Sequence, residues 1–420
     1  MSVLTIPQAN GERLNLKLAE LAQIGQLANG GVSRLAFTDE DLRAREQVKS
    51  WMIEAGMTVR NDAAGNIIGR YPGQNSQAPA FATGSHIDTV PIAGRYDGCL
   101  GVLAGIEVVQ TLKENDLQLM HPVEVIVFTD EECTVLGCKA MAGNTVPDPE
   151  YYRRNDGTSI QACLEQIGGN WDAIATAKRT LADIAAFVEL HVEQGGLLEH
   201  AGTEIGIVKG VVGQHRLKVT ILGRPNHAGT TPMDMRQDAL VAAAQVVLAV
   251  NQLAVNTPGE QVATVGYLDV SPNAVNTVPA KVELKIDLRD LSQAHLDWLM
   301  EQMQGAFAEI AIATDTQIEM IEMLHVLPTL SAPIIMDTIH QVCDHLGYSY
   351  TYLPSRAGHD AQEMGRFTNM GMIFVPSQAG ISHSEDEYTS PEQCAQGVDT
   401  LLQTLLKLDA SLSSSIPETE

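Results

Sequence analysis

Histidine and carboxylate residues recur in short polar segments that follow apolar runs. His86 and Asp88 lie in GSHIDTV, and Asp97 lies between glycines in GRYDG. Three adjacent carboxylates, residues 130–132, come directly after the apolar run Val123–Phe128. Like charges this close repel one another unless they are solvated or neutralised by a cation. Imidazole and carboxylate together suit Zn²⁺, Mn²⁺, Co²⁺ or Ni²⁺.

Four of the twelve histidines lie at the ends of apolar runs or in loops that contain glycine or serine: His191, His227, His359 and His383. Each feature alone has a structural alternative, such as a hydrogen-bonded pair for His86 and Asp88, an Asx turn for Asp97, or a solvated turn for residues 130–132. Together they favour a two-metal site with ions about 3.5–4 Å apart that polarises a carbonyl. A further carboxylate would carry the proton to the leaving nitrogen, as amide or ureide hydrolysis requires.

The elements that must position these residues alternate between strand and helix in the first third of the chain. Thr38 precedes an acidic first turn, and Gly56 ends the helix that follows. Phe81–His86 and Val123–Thr129 read as buried strands, with Gly101–Asn115 as a helix between them. The alternation predicts a parallel α/β sheet, in which ligands bind at the carboxyl ends of the strands.

The middle of the chain has the order βαββαβ, which is the split-βαβ, ferredoxin-like pattern. The predicted strands are Leu217–Leu222, Val262–Val270, Lys281–Leu288 and Gln317–Met323, and the predicted helices are Asp234–Val255 and Ala294–Ala313. Further α/β elements follow, with helices Ile334–Leu346 and Pro391–Leu408 and strand Met370–Val375. We therefore predict a discontinuous α/β domain, residues 1–212 and 327–420, with an α+β domain, residues 213–326, inserted in it.

The composition excludes several classes of protein. A length of 420 residues suggests two or three domains. A net charge of −26 disfavours nucleic acid and anionic membranes as partners. An apolar content of 45% with 19% charged residues argues against disorder as the main state.

The lack of a recognisable targeting signal and the pattern of cysteines lead us to expect a cytoplasmic protein. The N-terminus has no basic segment followed by an apolar one, so we expect no signal peptide. The stretch Ala239–Val255 contains Gln245, Asn251 and Gln252 and is expected to be too short and too polar to span a membrane. The six cysteines form no CxxC pair, which favours a reducing compartment.

Nine motifs in order between about residues 80 and 390 carry a family resemblance: GSHIDTV, GRYDGCLGVLAG, FTDEE, ELHVEQG, NHAGTTPMDMRQDAL, PNAVNTVPA, LRD, AGHDA and GISHS. Together they resemble the ureidohydrolase branch of the two-metal aminoacylase/carboxypeptidase superfamily. That branch contains N-carbamoyl-L-amino acid hydrolases, β-ureidopropionases and allantoate amidohydrolases. The resemblance implies a catalytic domain like those of two-metal exopeptidases and an inserted ferredoxin-like lid and dimerisation domain.

The resemblance also implies the roles of the metal-site residues. One ion would be held by His86, Asp97 and His191, and the other by Asp97, Glu132 and His383, so that Asp97 bridges. Glu131 would be the general base, and Asp88 would support His86 from behind. A histidine at position 191, where the peptidase branches usually have a carboxylate, points to the ureido branch.

Further residues are implied to contact the substrate: Gln194, Gln214, Asn276 and Arg289. Arg289 would hold a substrate carboxylate by two hydrogen bonds. His227 would stabilise the oxyanion, in the active site of the partner subunit of a homodimer. The resemblance implies two divalent ions per subunit, Mn²⁺ or Zn²⁺, with Co²⁺ or Ni²⁺ as alternatives.

The sequence departs from the family pattern in two places. The segment after Glu132, residues 133–137, is several residues shorter than in many relatives, which leaves the pocket shape there open. Arg356 stands where relatives often have glycine. It could recognise a second anionic group of the substrate, or pair with one of the many carboxylates of the chain.

Several functions remain open from the sequence. The first is metal-dependent hydrolysis of an N-carbamoyl-L-amino acid to the amino acid, carbon dioxide and ammonia, an amidohydrolase reaction on a non-peptide C–N bond. The alternatives with the same machinery are allantoate amidohydrolase and β-ureidopropionase, with dipeptidase or aminoacylase activity as a minor possibility. A different class would be a binding or scaffold homologue without catalysis, which the intact set of implied ligands argues against.

Overall fold

A computed structural model of the protein describes residues 7–413. These residues divide into two compact units. The larger unit runs to Gly210 and resumes at Leu330, and the smaller unit is Val211–Thr329. The smaller unit is therefore inserted in the chain of the larger one.

Eleven α-helices and fifteen β-strands run through the described residues. The helices are α1 (Gly11–Leu21), α2 (Asp39–Glu54), α3 (Cys99–Glu114), α4 (Leu136–Ala142), α5 (Ile160–Gln166), α6 (Leu197–Ala201), α7 (Ala239–Asn256), α8 (Gln293–Thr314), α9 (Pro333–Leu346), α10 (Asp360–Met364) and α11 (Pro391–Ser413). The strands are β1 (Thr58–Asn61), β2 (Ile67–Tyr71), β3 (Ala80–His86), β4 (Val123–Phe128), β5 (Ile184–Val192), β6 (Ile205–Val211), β7 (Gly213–Leu222), β8 (Asn226–His227), β9 (Val262–Ser271), β10 (Thr277–Val278), β11 (Lys281–Asp290), β12 (Gln317–Val326), β13 (Thr329–Leu330), β14 (Tyr350–Ser355) and β15 (Asn369–Val375).

The large sheet is mixed: the predicted parallel strands form its centre, and antiparallel pairings flank them. Its strand order is β1-β2-β4-β3-β5-β15-β6-β13, with β14 paired to β6. The central strands β4, β3, β5 and β15 run parallel to one another. Strand β2 is antiparallel to both β1 and β4, and β6 is antiparallel to β15.

Helix α3 forms much of the core beside these parallel strands. It contacts β3, β4 and β5 as well as helices α1 and α11. Burial all round explains why its sequence, CLGVLAGIEVVQTLKE, is almost continuously apolar. At α2 the predicted ends are confirmed: the Thr38 side chain accepts a hydrogen bond from the Asp41 amide, and Gly56 follows the last turn with a φ of 92°.

The smaller unit has a four-stranded antiparallel sheet in the order β12-β7-β11-β9. With β7 as the first strand of the unit, this is the 4-1-3-2 order of the split-βαβ pattern predicted from the sequence. Helices α7 and α8 pack on the apolar face of this sheet. Helix α7 begins at Ala239, not near Asp234 as predicted, because Met233–Met235 form a 3₁₀ turn and the Asp238 side chain caps the helix.

Helix α7 is long and apolar enough to cross a membrane by length and composition, with a mean hydropathy of 1.6, contrary to the expectation from its polar residues. One face of it, which includes Ala239, Ala242, Val246 and Val250, is buried in the core of the smaller unit. This packing accounts for the apolar residues of the buried face, whereas Leu240, Val241, Leu248 and Val255 are exposed.

Gly98 marks the closest approach between β3 and the start of α3. Its φ is 65°, a conformation that residues with a Cβ adopt reluctantly. A Cβ at this position would lie 2.5 Å from the imidazole of His86 at the end of β3. Only glycine therefore lets the chain turn from Asp97 into α3 while His86 keeps its position.

We expect Gly98→Ala to lower the free energy of unfolding by about 1–3 kcal/mol, because a strained backbone and a clash are added. Thermal denaturation of the chelated protein measures this change. Gly305→Ala in α8 is the matched control, because a Cβ there meets nothing within 4 Å and alanine favours a helix. Equal stability of Gly98→Ala and the wild type would contradict the proposed contact.

Candidate metal centre

The candidate ligands follow the four parallel strands of the large sheet. His86 ends β3, residues 130–132 follow β4, and His191 is the penultimate residue of β5. His383 lies in the loop after β15. Because these strands are neighbours and run in the same direction, their carboxyl ends meet at one edge. The location of the site was therefore predictable from the alternation of strands and polar segments.

Asp97 lies at the centre of this edge and is shared by three imidazoles. Its Oδ1 is 3.2 Å from Nε2 of His191 and 3.6 Å from Nε2 of His86. Its Oδ2 is 3.2 Å from Nε2 of His383. Burial opposes ionisation of Asp97, but hydrogen bonds from His191, His383 and His86 outweigh it and hold the pKa of the carboxyl well below its usual range.

Backbone carbonyls fix the orientation of the two buried histidines. Nδ1 of His86 is 2.9 Å from the carbonyl oxygen of Asp88, and Nδ1 of His191 is 2.9 Å from that of Val192. A carbonyl can only accept, so each Nδ1 carries a proton that it donates. When the Nε2 proton that each ring donates to Asp97 leaves, the lone pair lies on the atom that faces Asp97, as a metal ligand requires.

Asp88 supports the site in a different way from the one expected. Its main-chain oxygen, not its carboxylate, accepts from His86, since the carboxylate is 3.9 Å from Nδ1. The carboxylate instead accepts hydrogen bonds from the main-chain amides of Glu131, at 3.4 Å, and Glu132, at 3.2 Å. Asp88 thus connects the end of β3 to the acidic segment after β4.

Glu131 and Glu132 lie next to each other in this buried surrounding. Burial raises the pKa of Glu131 well above its usual range, and the nearby carboxylates Asp360, Glu132 and Asp88 add to this shift. Burial likewise raises the pKa of Glu132 to about 7. Glu131 Oε2 is 3.5 Å from Nε2 of His86. Carboxyl groups with raised pKa values at one site are typical of acid–base chemistry or of cation binding.

Two groups of side chains could each hold a metal ion: His86, Asp97 and His191, and Asp97, Glu132 and His383. They share Asp97. The donor set fits divalent cations, because the Nε2 atoms converge on carboxylates and the buried Oε1 of Glu132 has no hydrogen-bond partner in the part of the chain that the structure describes. A third possible group contains Glu189, His191 and His359. There the carboxylate is already occupied, since Glu189 accepts from Ser85 Oγ and the Ala361 amide.

Two residues of the site have left-handed backbone conformations. Gln194 has a φ of 58°, and His383 has a φ of 54°. The Gln194 side-chain amide donates to Asp97 Oδ2 at 2.8 Å and lies 3.4 Å from Nε2 of His383. Gln194, expected to contact substrate, is therefore directly beside the candidate ligands. Such conformations in side chains other than glycine cluster at functional sites.

Glu387 is a buried carboxylate that the sequence analysis missed. Its Oε1 accepts from the main-chain amides of Tyr96 and Asp97, at 3.0 and 3.1 Å, and its Oε2 accepts from Ser382 Oγ at 3.0 Å. It therefore holds the loop of Asp97 against the loop of His383. Its segment, SEDEYTS, reads as a solvated acidic loop, so only the fold reveals it.

His359 was noted in the sequence but assigned no role. Its ring lies 4.5 Å from that of His191, between centroids, and its Nε2 is 2.8 Å from Ser355 Oγ. Burial, together with the nearby His191, lowers the pKa of His359 well below its usual range, so it is neutral. His359 therefore packs against the candidate ligand His191 as an uncharged ring.

The other expected substrate residue of the larger unit, Arg356, follows β14 and is half-buried. It lies in the loop that ends at His359.

The short segment after Glu132 forms a tight turn, in which the amides of Thr134 and Val135 donate to the Asp130 carbonyl. The Asp130 carboxylate is held by Arg154 at 2.9 Å, a contact that the spacing did not indicate.

Gln214 and Arg289 are brought together in the smaller unit. They are directly opposed residues of β7 and β11. Both bind Asp287: the Gln214 amide donates to its Oδ2, and Arg289 Nε donates to its Oδ1 at 2.6 Å. Burial alone would raise the pKa of Asp287, but the hydrogen bond and positive charge of Arg289 outweigh burial and lower the pKa below its usual value. Asp287 thus fixes the orientation of Arg289, a role that the sequence analysis missed.

His227 and Asn276 adjoin a separate two-stranded ribbon of the same unit. His227 of β8 pairs with Thr277 of β10, which follows Asn276. Nδ1 of His227 accepts from the amides of Gly229, at 3.0 Å, and Thr230, at 3.2 Å. An accepting Nδ1 leaves the proton of the neutral ring on Nε2. The exposed His227 ring can therefore donate a hydrogen bond.

Comparisons with known proteins identify the family to which the chain belongs. The model of the family "Peptidase family M20/M25/M40" matches residues 82–407. The N-carbamoyl-L-amino acid amidohydrolase of Geobacillus stearothermophilus is 41% identical over 95% of this chain and 98% of its own. The allantoate amidohydrolase of Bacillus subtilis is 36% identical over 92% of this chain and 95% of its own.

A solved structure has the same fold at similar identity. The amidase of the hydantoinase/carbamoylase family from Burkholderia multivorans superposes with a TM-score of 0.89 at 33% identity, over 95% of this chain and 98% of that one. The resemblance stated from the nine motifs is thereby confirmed. The chain belongs to the M20/M25/M40 peptidase family, in its ureidohydrolase branch.

Proposed function

We propose that this protein is a metal-dependent amidohydrolase that cleaves the ureido C–N bond of an N-carbamoyl-L-amino acid. The products are the amino acid, carbon dioxide and ammonia. The observation that carries the proposal is the buried Asp97 shared by His86, His191 and His383, with Glu131 and Glu132 beside it. Of the curated relatives reported above, the one with the higher identity is an N-carbamoyl-L-amino acid amidohydrolase.

His86, Asp97 and His191 would hold one divalent ion, and Asp97, Glu132 and His383 the other. Bound ions of this kind polarise a carbonyl and make a water more acidic. Mn²⁺ or Zn²⁺ fits the imidazole and carboxylate donors, and Co²⁺ or Ni²⁺ fits them as well. Glu189 and Glu387 are not ligands in this assignment, because their oxygens accept hydrogen bonds from the protein.

Glu131 is the proton carrier of the proposed reaction. Its carboxylate takes a proton from the attacking water and delivers it to the nitrogen that leaves. Asp88 positions it through the hydrogen bond to its main-chain amide. A raised pKa, caused first by burial, makes Glu131 a stronger base than an exposed glutamate.

The proposed substrate contacts are those that the family resemblance implies. Arg289 would bind the substrate carboxylate through two hydrogen bonds, and Gln194, Gln214 and Asn276 would contact its polar groups. His227 would donate its Nε2 proton to the developing oxyanion, consistent with the acceptor role of its Nδ1. Arg356 would lie at the end of the pocket that distinguishes one ureido acid from another.

Allantoate is the second candidate substrate, because an allantoate amidohydrolase is 36% identical to this chain. It differs from an N-carbamoyl amino acid in carrying two ureido groups on one carbon. β-Ureidopropionate remains a third candidate on the motifs alone. A binding homologue without catalysis is disfavoured, because Glu131 and all five proposed ligands are in place.

We also propose that the enzyme is a cytoplasmic homodimer that associates through the smaller unit. Strand β9 is an edge of the four-stranded sheet, and it exposes Tyr267 and Leu268. An unpaired edge with apolar side chains suits pairing with a second copy. All six cysteines are free thiols, as expected in a reducing compartment. Light scattering of the metal-loaded protein distinguishes dimer from monomer.

The substrate class is tested by product release from a panel of compounds. Chelated enzyme is reloaded with Mn²⁺, Zn²⁺, Co²⁺ or Ni²⁺ and given N-carbamoyl-L-amino acids, β-ureidopropionate, allantoate, ureidoglycolate, an N-acetyl amino acid and a dipeptide. We expect ammonia from an N-carbamoyl-L-amino acid and its loss on chelation. Turnover of the dipeptide alone would overturn the proposal, and turnover of allantoate alone would select the second candidate.

Glu131→Gln should leave the metal content nearly unchanged and lower kcat about 10²–10⁴-fold, because the proton carrier is lost. The comparison uses metal analysis and steady-state kinetics on the same preparation. Glu46→Gln is the matched control, since Glu46 is on the exposed surface of α2 with 73% of its side chain accessible. Near-wild-type turnover of Glu131→Gln would remove it as the base.

Arg289→Lys should lower kcat/KM about 10–100-fold, because one of two charged hydrogen bonds to the substrate is lost. Arg216→Lys is the control, because Arg216 binds the same Asp287 at 3.2 Å but is more exposed. The control separates loss of the substrate contact from disturbance of Asp287. If both variants keep the wild-type kcat/KM, Arg289 does not bind substrate.

A further inference from the structure

A second group of histidine and carboxylate side chains lies on the sheet of the smaller unit. His215 of β7 and His325 of β12 are directly opposed in the ladder between these strands. Their rings are stacked, with centroids 4.3 Å apart and planes at 22°. Glu322 Oε1 is 2.5 Å from His215 Nδ1. None of these residues belongs to the proposed hydrolytic site.

A bulge in β12 brings Glu322 to this position. The register between β12 and β7 shifts between Glu322 and Leu324, so that Glu322 pairs with Leu217 and His325 with His215. In a regular strand, residues three apart would point to opposite faces. The extra residue lets Glu322 and His325 share the face of His215, and bulges commonly re-aim side chains in this way.

His215 is buried, and its Nε2 has no hydrogen-bond partner among the described residues. A buried polar nitrogen without a partner is unfavourable by about 1–3 kcal/mol. Glu322 and His325 are exposed, so the group is open to solvent on one side. An ion could therefore enter without any rearrangement of the sheet.

We propose that His215, Glu322 and His325 form a mononuclear binding site for a divalent transition-metal ion such as Zn²⁺ or Ni²⁺. One donor atom from each of the three residues lies within 4.8 Å of the others. Tetrahedral coordination at 2.0–2.1 Å places donor atoms roughly 3.3 Å apart. To direct its lone pair at the ion, the exposed His325 ring has to turn out of its stack with His215, and the exposed Glu322 carboxylate has to move away from His215 Nδ1.

The donor set selects the ion. Two imidazoles with one carboxylate suit Zn²⁺, Ni²⁺, Co²⁺ or Cu²⁺ and disfavour Mg²⁺ or Ca²⁺, which prefer oxygen donors. Water would occupy the remaining position on the exposed side. The ion would link β7 to β12 at the bulge, where the ladder of hydrogen bonds is interrupted.

The test counts ions bound to the full-length chain. Protein is chelated, titrated with Zn²⁺ or Ni²⁺ alone, passed through gel filtration and analysed for metal per chain. We expect His325→Gln to bind one ion per chain fewer than the wild type, and Glu322→Gln to weaken the same ion by about 10-fold or more. Both residues are exposed, so their substitution leaves the core of the unit intact.

His345→Gln is the matched control, because His345 is exposed on α9 and belongs to neither cluster. The site is isolated in a His86→Ala, His383→Ala background, where the ion that remains should be lost on adding His325→Gln. Equal ion counts in the wild type, control and both cluster variants would overturn the proposal and leave a hydrogen-bonded histidine pair. This readout does not depend on hydrolytic activity.

Discussion

The ionised carboxylate of Asp97 is the interaction on which the candidate metal centre depends. It is 4% exposed, and a charge so buried is tolerated only if opposing charges or donors surround it. His86, His191 and His383 converge on its two oxygens, and Glu387 fixes its main chain. The loops that carry these side chains follow different strands and meet at Asp97. The geometry of the site therefore follows from the need to stabilise the buried charge of this one carboxylate.

The support around this carboxylate comes largely from main-chain groups. The carbonyl oxygens of Asp88 and Val192 orient the imidazoles of His86 and His191. The carboxylates of Asp88 and Glu387 accept hydrogen bonds from main-chain amides of the neighbouring loops. Main-chain groups of strands and their ends have little freedom to move. The ligand atoms are therefore fixed before any ion arrives, which lowers the entropy lost on binding.

The structure brings the predicted ligands together, as their positions in short segments after apolar strands led us to expect. The sequence also predicted the order of elements in the smaller unit, because the change in hydrophobic period is strong there. It could not predict the antiparallel strands of the large sheet, since pairing direction is a long-range property. Glu387, Asp287 and the group of His215 and His325 were missed because each depends on contacts between residues distant in the chain or on a bulge.

The left-handed backbone of Gln194 and His383 has a consequence for stability. Glycine or asparagine adopts such a conformation with less backbone strain. Gln194 and His383 keep the strained geometry. Both contact Asp97 Oδ2, Gln194 at 2.8 Å and His383 Nε2 at 3.2 Å. The fold thus gives up about 1 kcal/mol or more of backbone energy at each position and keeps two contacts with the buried carboxylate. Replacing either residue by glycine would remove the strain and the contact together, so relieving this strain would not by itself make the protein more heat-resistant.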